Sequence, residues 1–576
     1  MNRKKTFQGL SFRGMLVMMI ALTMMLTACS GGNGGTPNKP ANTPANTPSS
    51  TNQPEEKGSE TTDNTPKGKV KPVTFTQYVN YDWFTALSWL ERPQGKWITD
   101  NLGVTVEPVQ SNGAAATKLN SMIVSKSLPD ALVLDRGKDV DRLVNAGQLV
   151  ELDPYLEKYP EFVQTIGEET LNMLRSKDGK LYQVPNWFIS GENGNGNAAY
   201  LVNRKIHKEL GSPALETWSD LEAYLKQVKE KYKDVVPLDF GEIRDGESQM
   251  FGLLYSGAAD DRTPALISAG SGSVFGVPSG DKLIPVYDDP AFEDTAIFAS
   301  RIFRQGLTSQ DAFTQTRDQI MEKLKNGKIA VFGAYDSVVE NIGREANNYL
   351  ISKDPESGYQ VIWPFHKDGV DKNKVYPGGY NTLGWNVNVI TKNAKDPEAI
   401  FSFFNWAISE EGQRVFFFGP EGMFYDKVEN GVPIPNDAYI NRNQKEYDEL
   451  KIGDFNWYGN TSYIDTIKGE REKHLPAESQ DWTTISQTTV SFKTSKNMTE
   501  FSNLDPLPNT PEGISLQRLR EHYKQVVSKL VFAKSDDEVR KVIAESKAEA
   551  EKLGYQKVLD WKTGVWQENL KIMGVK

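Results

Sequence analysis

The sequence predicts an α/β protein of two doubly wound lobes, with extra helices at its C-terminal end. Three observations lead to this prediction. About 500 residues follow an N-terminal leader and spacer, and a single hydrophobic core does not extend over so long a chain. Strands alternate with helices from residue 73 onward, as in doubly wound sheets. The alternation begins again after an aromatic, glycine-rich segment at residues 179–204.

Residues 1–28 have the pattern of a secretion signal peptide. Basic residues precede an apolar run at 14–27, which is shorter than the roughly 20 residues that span a bilayer. Cys29 follows a Leu-Thr-Ala sequence and is the only cysteine of the chain, so a disulfide is excluded. This junction resembles the lipobox of bacterial lipoproteins. The resemblance implies cleavage before Cys29 and lipidation of its sulfur, and two acyl chains on one residue suffice for stable membrane anchoring.

Residues 29–69 are rich in Gly, Pro, Asn, Thr and Ser and almost free of apolar residues. Such a composition cannot bury a core, so we expect a disordered tether behind the lipidated cysteine. The formal net charge of the chain is −10, and the leader carries four basic and no acidic residues, which leaves the mature chain near −14. This acidic balance argues against nucleic acid as a partner.

The first lobe begins with three predicted strands at residues 73–79, 104–109 and 131–135, each separated from the next by a helical stretch. Asp82 and Trp83 follow the first of these strands, and Asp135 and Arg136 end the third. Open α/β sheets usually place their ligand at the carboxyl ends of their strands. We therefore regard these four residues as candidate ligand contacts.

The segment 179–204 predicts a crossing between lobes, because two short strand-like runs flank a polar interruption with Trp187 beside it. An ordinary hairpin with core aromatics is the alternative at this point. Beyond it, Thr217 to Asp220 predicts a helix-capping box, and the strand at 328–335 ends in Tyr335 and Asp336.

Later signals complete the element order. The strand at 384–391 contains Trp385 and follows a Pro-Gly-Gly turn. Asp396 followed by Pro397 predicts a helix start, and Ser535 with Glu538 predicts a second capping box before the final helices. Trp89, Trp97, Trp218 and Trp406 lie in helical patterns and are expected to be core residues.

The order and spacing of several stretches resemble the extracellular solute-binding proteins (family 1 type) of ABC importers, in the large lipoprotein branch common in Firmicutes and associated with carbohydrate uptake. These stretches are LPDALVLD (128–135), GQLVELDPYLEKYP (147–160), DGKLYQVP (178–185), LVNRKIHKELG (201–211), ETWSDL (216–221), NGKIAVFGAY (326–335) and KDPEAIFSFFNWAISEEGQRVFFFGPEG (395–422).

The resemblance implies a periplasmic-binding-protein-like fold, in which a hinge joins two lobes around a ligand. The first lobe would take residues 70–190 and 380–425, and the second would take 195–376 and 426–576. A protein of this kind would capture an oligosaccharide at the outer face of the cell membrane, where its N-terminal lipid anchors it, and deliver the sugar to ABC transporter permease subunits.

Sugars present hydroxyls at their edges and apolar C–H faces, so a site for them needs planar hydrogen-bonding groups and stacked aromatic rings. The candidate rings are Trp83, Trp187, Tyr335 and Trp385, and the candidate polar contacts are Asp82, Asp135, Arg136 and Asp336.

We predict neither a cofactor nor a metal. Some members of the resembled family carry a calcium loop at the place that reads KYKDVVPLDF (231–240) here, and this stretch lacks alternating oxygen ligands. The run at 191–197 contains a single carboxylate and reads as a flexible loop. The four histidines are scattered, without metal-ligand spacing.

Other functions stay open at this stage. A secreted glycoside hydrolase needs only two carboxylates across a cleft, and no catalytic motif in the sequence supports or requires one. A peptide-binding protein or a non-transport surface lipoprotein would fit the leader and tether equally well. The two-lobe pattern favours a binding protein over an enzyme.

Overall fold

A computed structural model describes residues 70–575, except 86, 192–193, 244–247, 271, 336–337 and 454–455. All of these residues belong to one unit, Thr65–Lys576. The predicted signal peptide, Cys29, the predicted tether and Asp336 lie outside the described residues.

The first sheet has five strands in the order β2-β1-β3-β12-β4. They are β1 (Val73–Val79), β2 (Val104–Val109), β3 (Ala131–Leu134), β4 (Gln183–Asn186) and β12 (Asn386–Ile390). Strand β1 pairs in parallel with β2 and β3, and Tyr78 lies opposite Leu132. Strand β12 runs antiparallel between β3 and β4, so a strand from late in the chain completes this sheet.

The second sheet has four strands in the order β10-β5-β9-β6. They are β5 (Ala199–Asn203), β6 (Val236–Phe240), β9 (Ile329–Ala334) and β10 (Tyr359–Ile362). All residues of β5 and β9 are buried, which fits their apolar composition and their central places in the sheet. Tyr200 and Val202 pack on one face of the sheet, while Ala199 and Leu201 pack on the other.

Three two-stranded ribbons accompany these sheets. They pair β7 (Val277–Ser279) with β8 (Lys282–Ile284), β11 (Gly378–Tyr380) with β15 (Ser495–Asn497), and β13 (Tyr425–Glu429) with β14 (Val432–Pro435).

Helices cover both sheets. In the first half they are α1 (Pro93–Leu102), α2 (Ala115–Ser125), α3 (Lys138–Asn145), α4 (Asp153–Leu156), α5 (Pro160–Ile166), α6 (Glu168–Met173), α7 (Arg204–Glu209), α8 (Trp218–Lys231), α9 (Gln249–Ser256), α10 (Pro264–Ile267) and α11 (Pro290–Arg304). In the second half they are α12 (Arg317–Lys325), α13 (Gly343–Lys353), α14 (Pro397–Ala407), α15 (Glu410–Phe418), α16 (Asp437–Ile440), α17 (Gln444–Leu450), α18 (Thr461–Glu472), α19 (Trp482–Ser486), α20 (Pro511–Val531), α21 (Asp536–Lys552) and α22 (Tyr555–Ile572).

The helix starts follow the predicted capping signals, with one difference. Thr217 and Asp220 exchange both hydrogen bonds of a capping box at α8, and the Asp396 carboxylate accepts from the Ala399 amide at α14. Ser535 caps α21 by accepting from the Glu538 amide. The Glu538 carboxylate, however, accepts from the Lys534 amide at 2.8 Å rather than from that of Ser535, so the predicted reciprocal box is shifted by one residue.

Two main hydrophobic cores form around the two sheets, which confirms the predicted α/β fold class. Trp89 and Trp406 lie in the core of the first sheet, and Trp218 lies in that of the second, as expected for helix-face residues. Trp97 is partly buried against the first core. The C-terminal helices α20, α21 and α22 contribute to the second core.

The chain passes between the two cores three times, at residues 189–198, 366–382 and 459–497. The first crossing lies within the segment 179–204, and the second includes the Pro-Gly-Gly turn at residues 377–379. The third joins the Trp457–Tyr458 turn, which packs in the first core, to Met498 in the second. Strands β11 and β15 pair the second crossing with the end of the third. The last helix spans the cores as well, because Trp566 packs in the second and Met573 against the first.

An oxygen cage holds the ammonium group of Lys323 beside the end of β6. The Nζ atom lies 2.7 Å from Gln315 Oε1, 3.3 Å from Ser309 Oγ, 3.3 Å from Asp239 Oδ2, and 3.0 and 3.2 Å from the two carboxylate oxygens of Asp311. Asp239 is fully buried, and its burial raises the pKa of its carboxyl group against the effect of Lys323. A lysine thus supplies the positive charge that these two carboxylates require.

Candidate functional site

A cavity of about 860 Å³ lies between the two cores. The β3–α3 connection forms one wall, and the Thr263–Val274 region with Tyr335 forms the opposite one. The end of the second crossing with the residues just after it, 377–385, and the segment 498–508 close its sides. Among the sequence-predicted site residues, the structure brings four to this cavity, namely Asp135, Arg136, Tyr335 and Trp385.

The rings of Tyr81, Trp83 and Trp457 cluster beside that of Trp385. The Tyr81 ring stacks on Trp83, Trp385 and Trp457 with centroid distances of 5.4, 5.2 and 6.0 Å. Trp83 and Trp385 also stack on each other at 6.1 Å. Their side chains are 63% and 46% exposed, so these two rings still offer faces to an incoming molecule. Exposed parallel rings of this kind suit the apolar face of a sugar.

Two residues of this cluster, Tyr81 and Trp457, were missed in the sequence analysis. Tyr81 directly precedes the predicted Asp82 and Trp83, so its position at the strand end was a usable signal. Trp457 lies in a short 3-10 turn without hydrophobic periodicity. Two buried polar side chains of the first sheet fix that turn: Asn388 donates to the Trp457 carbonyl at 2.5 Å, and Gln77 accepts from the Tyr458 hydroxyl at 2.8 Å. The positions of these two polar residues inside otherwise apolar strands were the sequence signal that could have indicated this contact.

A chain of hydrogen bonds runs from the cavity to residues that lie next to the three crossings. The Tyr81 hydroxyl donates to Asp135 Oδ1 at 2.5 Å and accepts from the Asn386 amide at 3.2 Å. The Asn386 side-chain oxygen accepts from Asn186 at 2.7 Å, and Asn186 accepts from the Gly459 backbone amide at 2.5 Å. Burial and the Asp135 carboxylate raise the pKa of Tyr81 well above its usual value, so its hydroxyl keeps its proton.

Arg136 stabilises the loop that precedes Trp385 in the cavity wall. Its Nη1 donates to the carbonyl oxygens of Leu383, at 2.9 Å, and Gly384. Burial lowers the pKa of this guanidinium to about 10, although the adjacent Asp135 opposes the shift. Arg136 therefore remains charged at neutral pH and positions the loop that carries Trp385.

The structure places the remaining predicted residues differently. Asp82 Oδ1 accepts from the Ala115 amide at 2.6 Å, which ties the loop after β1 to the first residue of α2. Trp187 has a positive φ of 58°, and its backbone amide donates to the Gly459 carbonyl at 2.7 Å. Its ring packs edge-on against Phe417 at 5.2 Å and is not among the described residues that line the cavity.

A partly buried cluster of charged side chains supports the second wall. Arg520 donates to the carbonyls of Ala269 and Gly270 and to Asp505 Oδ2, at 2.5, 2.8 and 2.8 Å. Lys562 donates to Asp505 Oδ1 at 3.1 Å. Burial lowers the pKa of Lys562 to about 8 against the pull of Asp505. Burial alone would raise the pKa of Asp505, but the two cations outweigh it and hold that pKa below its usual value.

This arrangement, a ligand-sized cavity between two α/β halves, agrees with the family match. Residues 84–414 match the family model of the bacterial extracellular solute-binding proteins. The chain belongs to this family. The recognition predicted from the sequence is therefore confirmed. No curated protein matches the chain.

Solved structures share the fold of this solute-binding protein at low sequence identity. An HMO-binding, ABC-transporter-associated solute-binding protein from Bifidobacterium longum infantis has a TM-score of 0.62 at 14% identity, over 87% of this chain and 99% of that one. FusA of Streptococcus pneumoniae, solved with kestose, has a TM-score of 0.59 at 17% identity, over 86% and 99%. The N-glycan transport protein NgtS of Streptococcus pneumoniae has a TM-score of 0.56 at 17% identity, over 87% and 99%.

Family membership settles one of the alternatives, the glycoside hydrolase. The family consists of solute-binding proteins, so this chain is a solute-binding protein and not an enzyme. The family is also extracellular. Within the described part of the chain, no helix has the length and apolar character needed to cross a bilayer. The same residues contain no cluster of three or more His, Cys, Asp or Glu side chains arranged to hold a metal.

Proposed function

We propose that this solute-binding protein captures an oligosaccharide in the cavity between its two cores and delivers it to the permease of an ABC transporter. The observation that supports this most directly is the pair of exposed, stacked rings of Trp83 and Trp385 beside a cavity of about 860 Å³. The similar structures agree, because their names describe HMO binding, N-glycan transport and a kestose complex.

The proposed site unites both halves of the molecule. Trp83, Trp385 and Asp135 would contact the ligand from the first half, and Tyr335 from the second. Asp82 and Arg136 would act by holding the surrounding loops. We retain Trp187 and Asp336 as sequence-based candidates. We also retain the sequence-based lobe boundaries, 70–190 with 380–425 and 195–376 with 426–576, except that the Trp457–Tyr458 turn of the last range packs in the first core.

Glycan binding is tested by isothermal titration calorimetry with a panel of oligosaccharides and peptides, followed by mass spectrometry of the recovered ligands. We expect an oligosaccharide to bind one-to-one and to be recovered unchanged, since this is a binding protein. If only peptides bind, the proposed ligand is a peptide and not a sugar, and the family assignment is unaffected.

We further propose that Cys29 carries a lipid that anchors the protein to the outer face of the cell membrane, with residues 29–69 as tether. The support for this is the leader, the small residues before Cys29 and the absence of any other cysteine in the sequence. Cys29→Ala should release the protein into the medium or leave an unprocessed precursor. Normal acylation of this variant would contradict the anchor.

A further inference from the structure

The charged side chains that line the cavity balance in number. They comprise three acidic residues, Asp135, Asp141 and Asp505, and three basic residues, Arg136, Lys138 and Arg520. A balanced wall creates little long-range attraction for a ligand of either sign. The discrimination between charged and uncharged ligands therefore depends on which of these groups a ligand can reach.

Both arginines are already engaged by the protein. Arg136 donates to the backbone carbonyls of Leu383 and Gly384, and its Nε atom is buried without a hydrogen-bond partner among the described residues. Arg520 donates to two carbonyls and to the carboxylate of Asp505. A bidentate pairing with a ligand carboxylate, which is the usual way in which arginine recognises acidic sugars, would have to break these bonds.

The accessible charges are one cation and two carboxylates. Lys138 is exposed, and neither its side chain nor that of Asp141 makes a hydrogen bond or ion pair with any other described residue. Burial raises the pKa of the Asp141 carboxyl, and the charge of Lys177 opposes that shift. Asp135 is exposed and keeps one carboxylate oxygen beyond its bond to Tyr81. A ligand carboxylate would meet a single cation beside two like charges, whereas a sugar hydroxyl could donate to either carboxylate.

We propose that the cavity selects uncharged oligosaccharides and discriminates against uronates and other acidic glycans, with Asp135 as an acceptor for sugar hydroxyls. This inference rests on the proposed sugar-binding function and narrows its ligand class.

The test compares neutral glycans with charged partners of the same skeleton by calorimetry. Suitable pairs are β-1,4-mannohexaose with oligomannuronate of equal length, and asialo with sialylated N-glycans. We expect at least one neutral glycan to bind, and its charged partner to bind with an affinity at least about tenfold lower. The affinity for the neutral glycan should change less than about twofold between roughly 0.05 and 0.5 M salt.

A charged glycan that binds as tightly as its neutral partner, or an affinity that falls steeply with salt, would overturn this inference while the proposed sugar-binding function stands. Failure of every glycan in the panel to bind would overturn both.

Two variants test the roles of the charged residues that line the cavity. Asp141→Asn should narrow the preference for neutral over acidic glycans, and Lys138→Gln should widen it. Thermal melting verifies that both fold, and an unchanged preference in both would contradict the proposal.

Discussion

At the scale of single residues, Trp385 and Trp187 illustrate two roles of aromatic rings near the cavity, namely ligand contact and packing. Trp385 is half exposed and stacks on Tyr81, so Trp385→Ala should weaken glycan binding by roughly ten- to hundred-fold, or about 1–3 kcal/mol, without unfolding the chain. Trp187 packs on Phe417, so Trp187→Ala should chiefly lower the melting temperature. Calorimetry and thermal melting measure both effects. Weaker binding at an unchanged melting temperature would instead support the ligand contact predicted for Trp187 from the sequence.

A second residue-scale prediction concerns the buried carboxylate of Asp289. Arg262 donates to both of its oxygens, at 2.7 and 3.0 Å, and the Tyr255 hydroxyl donates at 2.6 Å. Burial alone would raise the pKa of Asp289, but these hydrogen bonds outweigh it and leave the pKa below its usual value. Arg262→Met removes the cation and should cost about 3–5 kcal/mol of the free energy of unfolding at neutral pH.

The pH dependence of this pair has a definite sign. A carboxyl whose pKa is depressed by folding stabilises the protein above its unfolded pKa of about 3.9, and this contribution is lost as the pH falls through the folded pKa. The stability difference between wild type and Arg262→Met should therefore shrink below about pH 4. Urea denaturation at several pH values measures it, with Arg540→Met on the exposed surface as the matched control. A stability difference between wild type and Arg262→Met that stays constant with pH would contradict the role given to the Asp289 carboxylate.

At the scale of elements, Asn186 joins the end of β4 to the start of β12 and to the third crossing. Both its side-chain donor and its acceptor are used, and it is fully buried. Asn186→Ala leaves the Gly459 amide and the Asn386 oxygen unsatisfied, which should cost about 1–3 kcal/mol for each group. Hydrogen exchange of the Gly459 amide should quicken together with the drop in stability. Asn441→Ala, which removes an exposed bond to Asp437, is the control, and equal effects of the two variants would contradict this role.

Sequence patterns predicted individual elements well and their partners poorly. The β-type run at 384–391 was assigned correctly as a strand, yet nothing in it indicates a place between β3 and β4, because strand pairing depends on residues far apart in sequence. The same reason hid Trp457, whose approach to Tyr81 depends on the third crossing. Residues at strand ends, such as Asp135 and Trp385, were found because the position of a ligand site follows from sheet architecture.

At the scale of the whole molecule, three crossings and the last helix connect the two halves. Hinge motion about a few connections is the usual way in which two-lobed proteins close on a ligand. A ligand that contacts both walls of the cavity would bind the closed form more tightly and shift the population towards it. We therefore expect small-angle scattering to show a smaller radius of gyration at saturating glycan. An unchanged radius with ligand bound would contradict the hinge mechanism.

The oxygen cage around Lys323 has a consequence for how the protein tolerates its surroundings. A protein stabilised by a bound metal ion gains free energy in proportion to the logarithm of the ion concentration and loses it when that ion becomes scarce. The ammonium group of Lys323 is covalently part of the chain, so Asp239 and Asp311 have their counter-charge at any external ion concentration. This corner of the fold is thus independent of the supply of divalent cations outside the cell, whether the medium is rich in them or depleted by chelators.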